Sequence, residues 1–355
     1  MYGEHDYEVL TSSREGLQRQ EDHFGSKQRH DTDGYNIIPF GYCTYRNRSD
    51  DGKFAFNINT ISEKAIVSKF YPVFRFTNAN STFMAEFLNS SPRVKKKLSV
   101  LAVGTSQVVL SFEALKAAKF DLPCKDEQDK IAAFLECLNT RIENQRTLVV
   151  ALKKYKRGVV DGIFSRKLNF SYPQTWAELE ISELFMPISD KGYSDKIVLT
   201  IVQGEGTMPR DSVDRRIAYD KSTISSYKRV LPNDFILHLR SFEGGLEIVN
   251  EEGVVSPAYT ILRARNEIIP LFFYTFFRSY WFINSKLRIS VEGIRDGKSI
   301  NMNTFWHIKV PVPSIEEQRH ISAFISSIDN RIKIAEFEYK RLLQIRVGLM
   351  QQLFI

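Results

Sequence analysis

The sequence predicts an α+β fold, with two mixed α/β lobes separated by an antiparallel two-helix coiled coil and built as a pseudo-two-fold internal repeat. Three observations predict it. The segment Pro123 to Phe164 superimposes without a gap on Pro313 to Phe354 at a constant offset of 190, with 11 of 42 positions identical. Within each copy the apolar residues recur at alternating steps of four and three, the 3.5-residue period of a coiled-coil seam. Upstream of each copy the pattern changes to short β-rich runs separated by turns.

In chain order, residues 1–122 form the first lobe. Ile37-Ile38, Phe54 to Ile58 and Val73 to Phe76 read as strands, and Asp33-Gly34 and Asp50-Asp51-Gly52 as turns. Residues 81–98 read as helix, with Ser81 as its N-cap. Residues 123–169 carry the first long helix, whose seam is Ile131, Leu135, Leu138, Ile142, Gln145, Val149, Leu152, Lys156, Val159 and Ile163. Pro123 precedes an acidic first turn, Asp126-Glu127, which suits the positive end of the helix dipole. Residues 170–312 form the second lobe, with strands at Ile197 to Val202, Phe235 to Leu239 and Tyr259 to Leu262 and a helical stretch at 270–288.

Residues 313–355 repeat the long helix, with a seam of Ile321, Ile325, Ile328, Ile332, Ala335, Tyr339, Leu342, Arg346, Leu349 and Leu353. About 37 residues per helix at 1.5 Å each give rods of roughly 55 Å. The simplest way to bury both stripes is against each other. Gly158 and Gly348 occupy equivalent positions and cost each helix on the order of 1 kcal/mol relative to alanine, so a close approach to a packed neighbour is expected there.

The 355 residues carry 49 Lys and Arg against 42 Asp and Glu, a formal charge of +7. The excess is uneven, with 26 basic and 20 acidic residues up to Phe170 and 23 and 22 beyond it. A basic balance points to an anionic partner. Cys43, Cys124 and Cys137 have no metal-ligand spacing, which reads as a reduced intracellular chain. The opening, MYGEHDYEVL, is polar and acidic, unlike a signal peptide. The most apolar stretch, Ile268 to Ile283, is interrupted by Pro270 and Arg278 and is too short for a membrane span. A soluble cytoplasmic protein is expected.

Catalytic patterns are missing. There is no GxxxxGK[ST], no GxSxG, no HExxH and no Asn-Pro-Pro-aromatic motif, and Gly204-Glu205-Gly206 is a lone GxG that turn geometry explains. Two Asp-Gly-Lys tripeptides, at Asp51 and Asp296, could be part of a nuclease site, but Asp-Gly is foremost a turn signal. No metal site and no catalytic residue is assigned. The basic residues lie mainly in loop-like segments, where a duplex-reading surface needs them. The candidates for DNA contact are Arg46, Arg48, Arg210, Arg215, Arg216, Arg240, Arg295 and Lys298. Arg48 and Arg240 lead, because Arg48-Ser49 before Asp51-Gly52 matches Arg240-Ser241 before Glu243-Gly244. Arg75 and Arg263 also correspond, either as DNA contacts or as structural ion pairs.

The doubled motif, Pro123-x-x-x-Glu127-Gln128-x-x-Ile131 through Gly158 to Phe164 and Pro313-x-x-x-Glu317-Gln318-x-x-Ile321 through Gly348 to Phe354, resembles the DNA-specificity subunit of Type I restriction-modification systems. Tyr172-Pro173-x-x-Trp176 likewise resembles the usual opening of a target-recognition domain. The resemblance spans essentially the whole chain. It implies a non-catalytic subunit in which each lobe reads one half of a split, asymmetric double-stranded DNA target. The paired helices, through seam residues such as Ile131, Leu135, Leu138, Ile142, Leu152, Ile321, Ile325, Ile328, Ile332 and Leu342, set the spacer and dock methyltransferase subunits, which restriction and translocase subunits join. No cofactor is then expected on this chain; S-adenosylmethionine, Mg and ATP belong to the partners.

One departure is notable. The chain begins near the equivalent of Ser194, so the first lobe is expected to lack the opening strand of its twin. A truncated inactive allele, a scaffold that does not read DNA, and an unrecognised nuclease remain alternatives.

Overall fold

The computed structural model describes residues 7–25, 32–168, 175–213, 221–238, 244–293 and 299–354. The chain forms two compact units, one of residues 1–146 with 337–355 and the other of residues 147–336. Each long helix therefore contributes one half to each unit.

The first unit opens with β1 (Glu8–Ser13), β2 (Gly16–Arg19) and α1 (Gln20–Phe24), followed by β3 (Asn36–Ile37), β4 (Cys43–Tyr45), β5 (Arg48–Ser49), β6 (Phe56–Ile58), β7 (Ala65–Val67) and β8 (Val73–Phe74). Next come α2 (Ser81–Ser90), α3 (Pro92–Leu101), β9 (Val108–Val109), α4 (Phe112–Ala117) and the start of α5 (Lys125–Phe164). One sheet has the order β2-β1-β7-β3, with β1 parallel to β7. Leu10, Ala65 and Val67 alternate inward from it, together with Ile38, as the two-residue period of a strand requires. A second sheet, β6-β4-β8, packs Tyr45 and Phe56 on α2, α3 and α4 through Leu88, Leu98 and Leu115.

The expected helix over 81–98 is two helices. Pro92 has no N–H to continue α2 and pushes Ser91 out of helical geometry, and Ser91 then caps α3 through Val94 N. The cap of α2 is Asn80 rather than Ser81; its side-chain oxygen accepts from Phe83 N at 3.0 Å.

The second unit adds β10 (Ala177–Glu180), α6 (Ile181–Leu184), β11 (Phe185–Ile188), β12 (Leu199–Val202), β13 (Gly206–Pro209), β14 (Lys228–Val230), β15 (Phe235–His238), β16 (Glu247–Ile248), β17 (Gly253–Val255) and β18 (Tyr259–Ala264). It continues with α7 (Pro270–Phe277), β19 (Val291–Glu292), β20 (Ser299–Ile300), α8 (Met302–Trp306), β21 (Lys309–Val312) and α9 (Ile315–Leu353). The main sheet, β11-β18-β15-β16, is antiparallel. Phe185 and Phe235 from it meet Phe272, Phe273, Phe276 and Phe277 of α7 and Phe164 at the end of α5, all fully buried. The helical stretch expected over 270–288 breaks after Phe277 and is helical again from Tyr280, continuing as a π-helical turn (Phe282–Lys286) and a 3-10 turn (Leu287–Ser290). Gly245 packs against that stop: its φ is +81°, and a Cβ there would sit 2.1 Å from Phe277 O, so only glycine fits.

The repeated Glu-Gln motif has the same job in both units. Gln128 Nε2 donates to Pro123 O (2.9 Å), while its Oε1 accepts from Asn80 N (3.0 Å) at the start of α2. Gln318 Nε2 donates to Pro313 O (3.0 Å), while its Oε1 accepts from Ile269 N (3.0 Å) at the start of α7. A buried glutamine thus ties the start of each long helix to the lobe helix beside it. Replacing Gln318 with alanine is expected to cost about 1–3 kcal/mol, because two buried backbone groups lose their partner. Urea unfolding of the full chain checks this, and Gln128→Ala should behave alike.

Among the described residues, only the second unit elaborates the neighbouring glutamate. Trp176 Nε1 donates to Glu317 Oε1 (2.9 Å), and β10 pairs with β21 just ahead of α9. The corresponding Glu127 is exposed, and residues 119–122 carry no strand.

The long helices span 40 and 39 residues, roughly 60 Å each at 1.5 Å per residue. Every expected seam position of α5 is buried or half-buried, as is every one of α9 except the exposed Leu353. In the second unit Ile321, Ile325, Ile328 and Ile332 join the core that holds Val159 and Ile163. In the first, Leu135 and Ile131 cluster with Met350 and Phe354. The helices run antiparallel in each unit: Lys153 pairs with Glu336 (2.6 Å) and Lys156 with Asp329 (2.6 Å) in one, Arg141 with Glu338 (3.4 Å) in the other.

The polar interruptions of the two seams are partnered. Lys156 meets Asp329, and Arg346, its equivalent, meets Asn139 (2.8 Å), the equivalent of Asp329. Arg346 also grips both oxygens of Glu86 in α2 at 2.8 and 2.9 Å. Polar pairs inside an apolar seam fix its register. The close approach expected at Gly158 and Gly348 is absent: a Cβ added at either meets nothing within 4 Å.

Candidate nucleic-acid interface

The best-defined basic surface lies on the first unit, between β4 and β5. Tyr45 anchors this connection from below, its hydroxyl donating to Leu110 O at 2.9 Å, and the short β5–β9 pairing sets Arg48 opposite Val109. Arg46 and Arg48 flank half-buried Asn47, and both are exposed with no ion pair among the described residues. They border a hollow of about 340 Å³ that also holds Ser68, Phe70, Tyr71 and Gln107. The Arg48 guanidinium carbon stands 5.5 Å from the centroid of the Phe70 ring, and Lys69 Nζ lies 5.6 Å from it. Phe70 is exposed. An aromatic face set among cations suits contact with a nucleic acid, where charge meets phosphate and a ring can cover sugar or base.

Asp51, on the neighbouring turn, does not neutralise this pair. Its carboxylate accepts from Ser49 Oγ (2.9 Å), from Lys53 N (3.2 Å) and from Arg14. The Ser49 hydrogen bond, with those from Lys53 N and Arg14, holds its pKa down to about 2. The first Asp-Gly-Lys tripeptide is therefore a turn whose acid is committed to local hydrogen bonds. The second, at Asp296, lies outside the described residues.

On the second unit the expected residues divide. Arg210 follows β13, is half-buried, and donates its backbone N–H to Val198 O at 2.9 Å. Arg215, Arg216, Arg240, Arg295 and Lys298 lie outside the described residues. Arg263 is a structural ion pair, with Nε and Nη2 at 2.8 and 2.6 Å from the two oxygens of the buried Asp234. That hydrogen bonding raises its pKa. Arg75, its counterpart in sequence, is exposed. Arg229 is also spent within the fold, on Glu252 (2.9 Å) and over the Tyr193 ring.

Sequence reading missed a polar cluster beside α7. Arg278 pairs with Glu247, whose carboxylate also accepts from Tyr274 Oη (3.0 Å) and Gly204 N (3.0 Å). Burial pushes the Tyr274 phenol up to about 12. Arg278 and Tyr274 line a hollow of about 500 Å³ with Lys153, Lys156 and Arg157, where Lys153, Lys156 and Arg278 are each paired with a carboxylate. Phe70 was missed as well, because a lone phenylalanine reads as core until the fold shows which way it faces. Among the described residues no group of His, Cys, Asp or Glu is placed to hold a metal ion, and no helix is long and apolar enough to cross a membrane.

The chain matches the family described as Type I restriction modification DNA specificity domain over residues 3–152 and 173–344. It is 24% identical over 215 residues to the Type I restriction enzyme MjaVIII specificity subunit of Methanocaldococcus jannaschii, covering 58% of this chain and 47% of that protein. The chain spans about half the length of the curated relatives it matches. Its fold is similar to the crystal structure of a Type I restriction-modification S subunit from M. genitalium, with a TM-score of 0.54 and 19% identity over all of this chain and 90% of the other. A structure solved in work on complex assembly and conformational transition of the Type I system aligns with a TM-score of 0.56 and 17% identity, over 90% of this chain and 83% of the other.

Proposed function

The chain belongs to the Type I restriction-modification DNA specificity family, and from that premise we propose that it is the non-catalytic subunit that reads a split, asymmetric DNA target for such a complex. The observation that carries the reading is the exposed pair Arg46 and Arg48 beside Phe70, free of carboxylate partners among the described residues. Arg240 stands at the matching place in the second lobe's sequence. Outside the repeated helices the two lobes differ in sequence, which supports two unlike half-sites. The number of helical residues between the lobes would set the spacer.

The paired helices would dock methyltransferase subunits, which restriction and translocase subunits join, and S-adenosylmethionine, Mg and ATP would be held by those partners. The cytoplasm, where such complexes meet chromosomal DNA, is the proposed location.

A salt-dependent DNA titration of the complex assembled with its methyltransferase subunit tests this. Each phosphate contact contributes close to one unit to the slope of log affinity against log salt. Replacing Arg46 and Arg48 with alanine is expected to lower the slope by one to two units and to weaken binding roughly tenfold or more at low salt. Arg240→Ala should weaken the second half-site. Unchanged slopes and affinities in both variants would favour a scaffold that does not read DNA. In cells, deleting the gene should erase one split adenine-methylation motif.

A further inference from the structure

The corner that leads into each long helix is built the same way in both units. In the second, Asn301 caps α8 through Thr304 N, Ile308 N–H donates back to Phe305 O (3.1 Å), and Gln318 Nε2 donates to Pro313 O (3.0 Å). In the first, Ser111 caps α4 through Ala114 N, Ala118 N–H donates to Leu115 O (3.2 Å), and Gln128 Nε2 donates to Pro123 O (2.9 Å). Both ends of the connecting segment, residues 308–312 in one unit and 118–122 in the other, are therefore held alike.

What differs is the strand laid along it. β10 runs antiparallel to β21, with Ala177 opposite Val312, Glu178 opposite Pro311, Leu179 opposite Val310 and Glu180 opposite Lys309. Ile181 N–H donates to Ile308 O at 3.0 Å, and the sides of a strand alternate, so the backbone groups of Ile308, Val310 and Val312 face β10. Pro311, which has no N–H, falls on the side facing away. Trp176 closes the far end on Glu317.

The equivalents in the first unit are Ala118, Phe120 and Leu122. Among the described residues, the carbonyl oxygens of all three and the N–H groups of Phe120 and Leu122 have no hydrogen-bond partner. Lys97 Nζ donates to Lys119 O on the other side, so the open side is the one that β10 covers in the second unit. Lys119 is exposed with no ion pair among the described residues, and Glu127, in the place of the indole's acceptor Glu317, is exposed as well. An unpaired row of N–H and C=O groups is a template for another strand.

We propose that residues 118–122 form a strand-addition site for an extended segment of a different protein, with the chemistry of residues 176–180: a ring N–H that reaches Glu127 at its start and a carboxylate that meets Lys119 at its end. Main-chain hydrogen bonds carry the affinity, and the two end groups set direction and register. Phe83 stands where Phe272 meets Trp176 in the second unit, and it is already buried, so the indole adds less here than the ladder does. A nucleic acid has no matching row of alternating donors and acceptors. A second copy of this chain is disfavoured, because its own β10 would first have to leave β21. The proposal stands apart from the DNA-reading role.

The test titrates the full chain with a fluorescein-labelled peptide of residues 175–182, read by anisotropy. Wild type should bind one peptide, since β10 keeps its own place at the higher effective concentration of a linked segment. Leu122→Pro deletes an N–H on the open side and should weaken binding about tenfold or more. Asp121→Pro, which copies Pro311 on the side facing away, should bind as wild type does. Lys119→Glu should weaken binding at low salt and less so at high salt. No binding by wild type, equal binding by wild type and Leu122→Pro, or loss in Asp121→Pro as well would each overturn the site. A wild-type dimer in native mass spectrometry that Leu122→Pro abolishes would make a second copy the occupant and overturn the assignment to a different protein.

Discussion

Replacing Phe164 with alanine is expected to destabilise the second unit by about 3–5 kcal/mol, the range for removing a buried phenyl ring. Phe164 is 1% exposed and meets Phe272 and Phe276 edge to face, with ring centroids 5.5 and 5.0 Å apart. These rings belong to one interior with Phe185, Phe235, Phe273, Phe277 and Phe282, so the cavity cannot be refilled by a small shift of one neighbour. The ring also ends α5, so its loss frees the helix end from the lobe. A guanidinium titration of the full chain checks the shift. Phe354→Ala removes the equivalent ring, which meets Phe83 and Phe87 at 5.6 and 5.9 Å in a smaller cluster, and should cost less. Equal losses would contradict the assignment of the larger core to the second unit.

Arg263→Ala is expected to cost about 3–4 kcal/mol, because it strands a carboxylate in the interior. Asp234 is 2% exposed; with Arg263 gone, Leu231 N, at 2.8 Å, remains as a donor but brings no positive charge. Removing both charges, as Asp234→Asn with Arg263→Leu, should cost markedly less than the two single losses added together, since the unpaired charge is what is expensive. A double-mutant cycle by urea unfolding measures this. Additive losses would mean that the pair is not coupled.

Much of the helical architecture was legible in the residues. A heptad seam needs only local chemistry, side-chain size and polarity at fixed steps, and the duplication printed it twice. Gln128 and Gln318 stood out as identities, but their task, holding a proline carbonyl and the first N–H of a lobe helix, depends on a segment some 50 positions upstream. Pro92 already dictates the break at Ser91 in sequence, and the cap at Asn80 lies one residue from the expected Ser81. Helix ends are decided by competition between neighbouring side chains for the same N–H groups.

The candidate interface was less legible. Arg46 and Arg48 were visible as charges in a loop, but so was Arg263. The difference between a solvent-facing arginine and one spent on Asp234 lies in partners 29 positions apart in sequence. Gly158 and Gly348, at equivalent places in the two helices, lead one to expect a close approach to a packed neighbour. A Cβ added at either meets nothing within 4 Å, so the packing that would require glycine there is not made.

The order of residues alone therefore determined the duplication, the two long helices and the face each would bury, because a helix's periodicity is a property of consecutive residues. Only the tertiary structure decided which charges are paired and which face solvent, and which apolar rings are left uncovered. Burial and ion pairing depend on distances between residues far apart in the chain, and those distances exist only once the chain has folded.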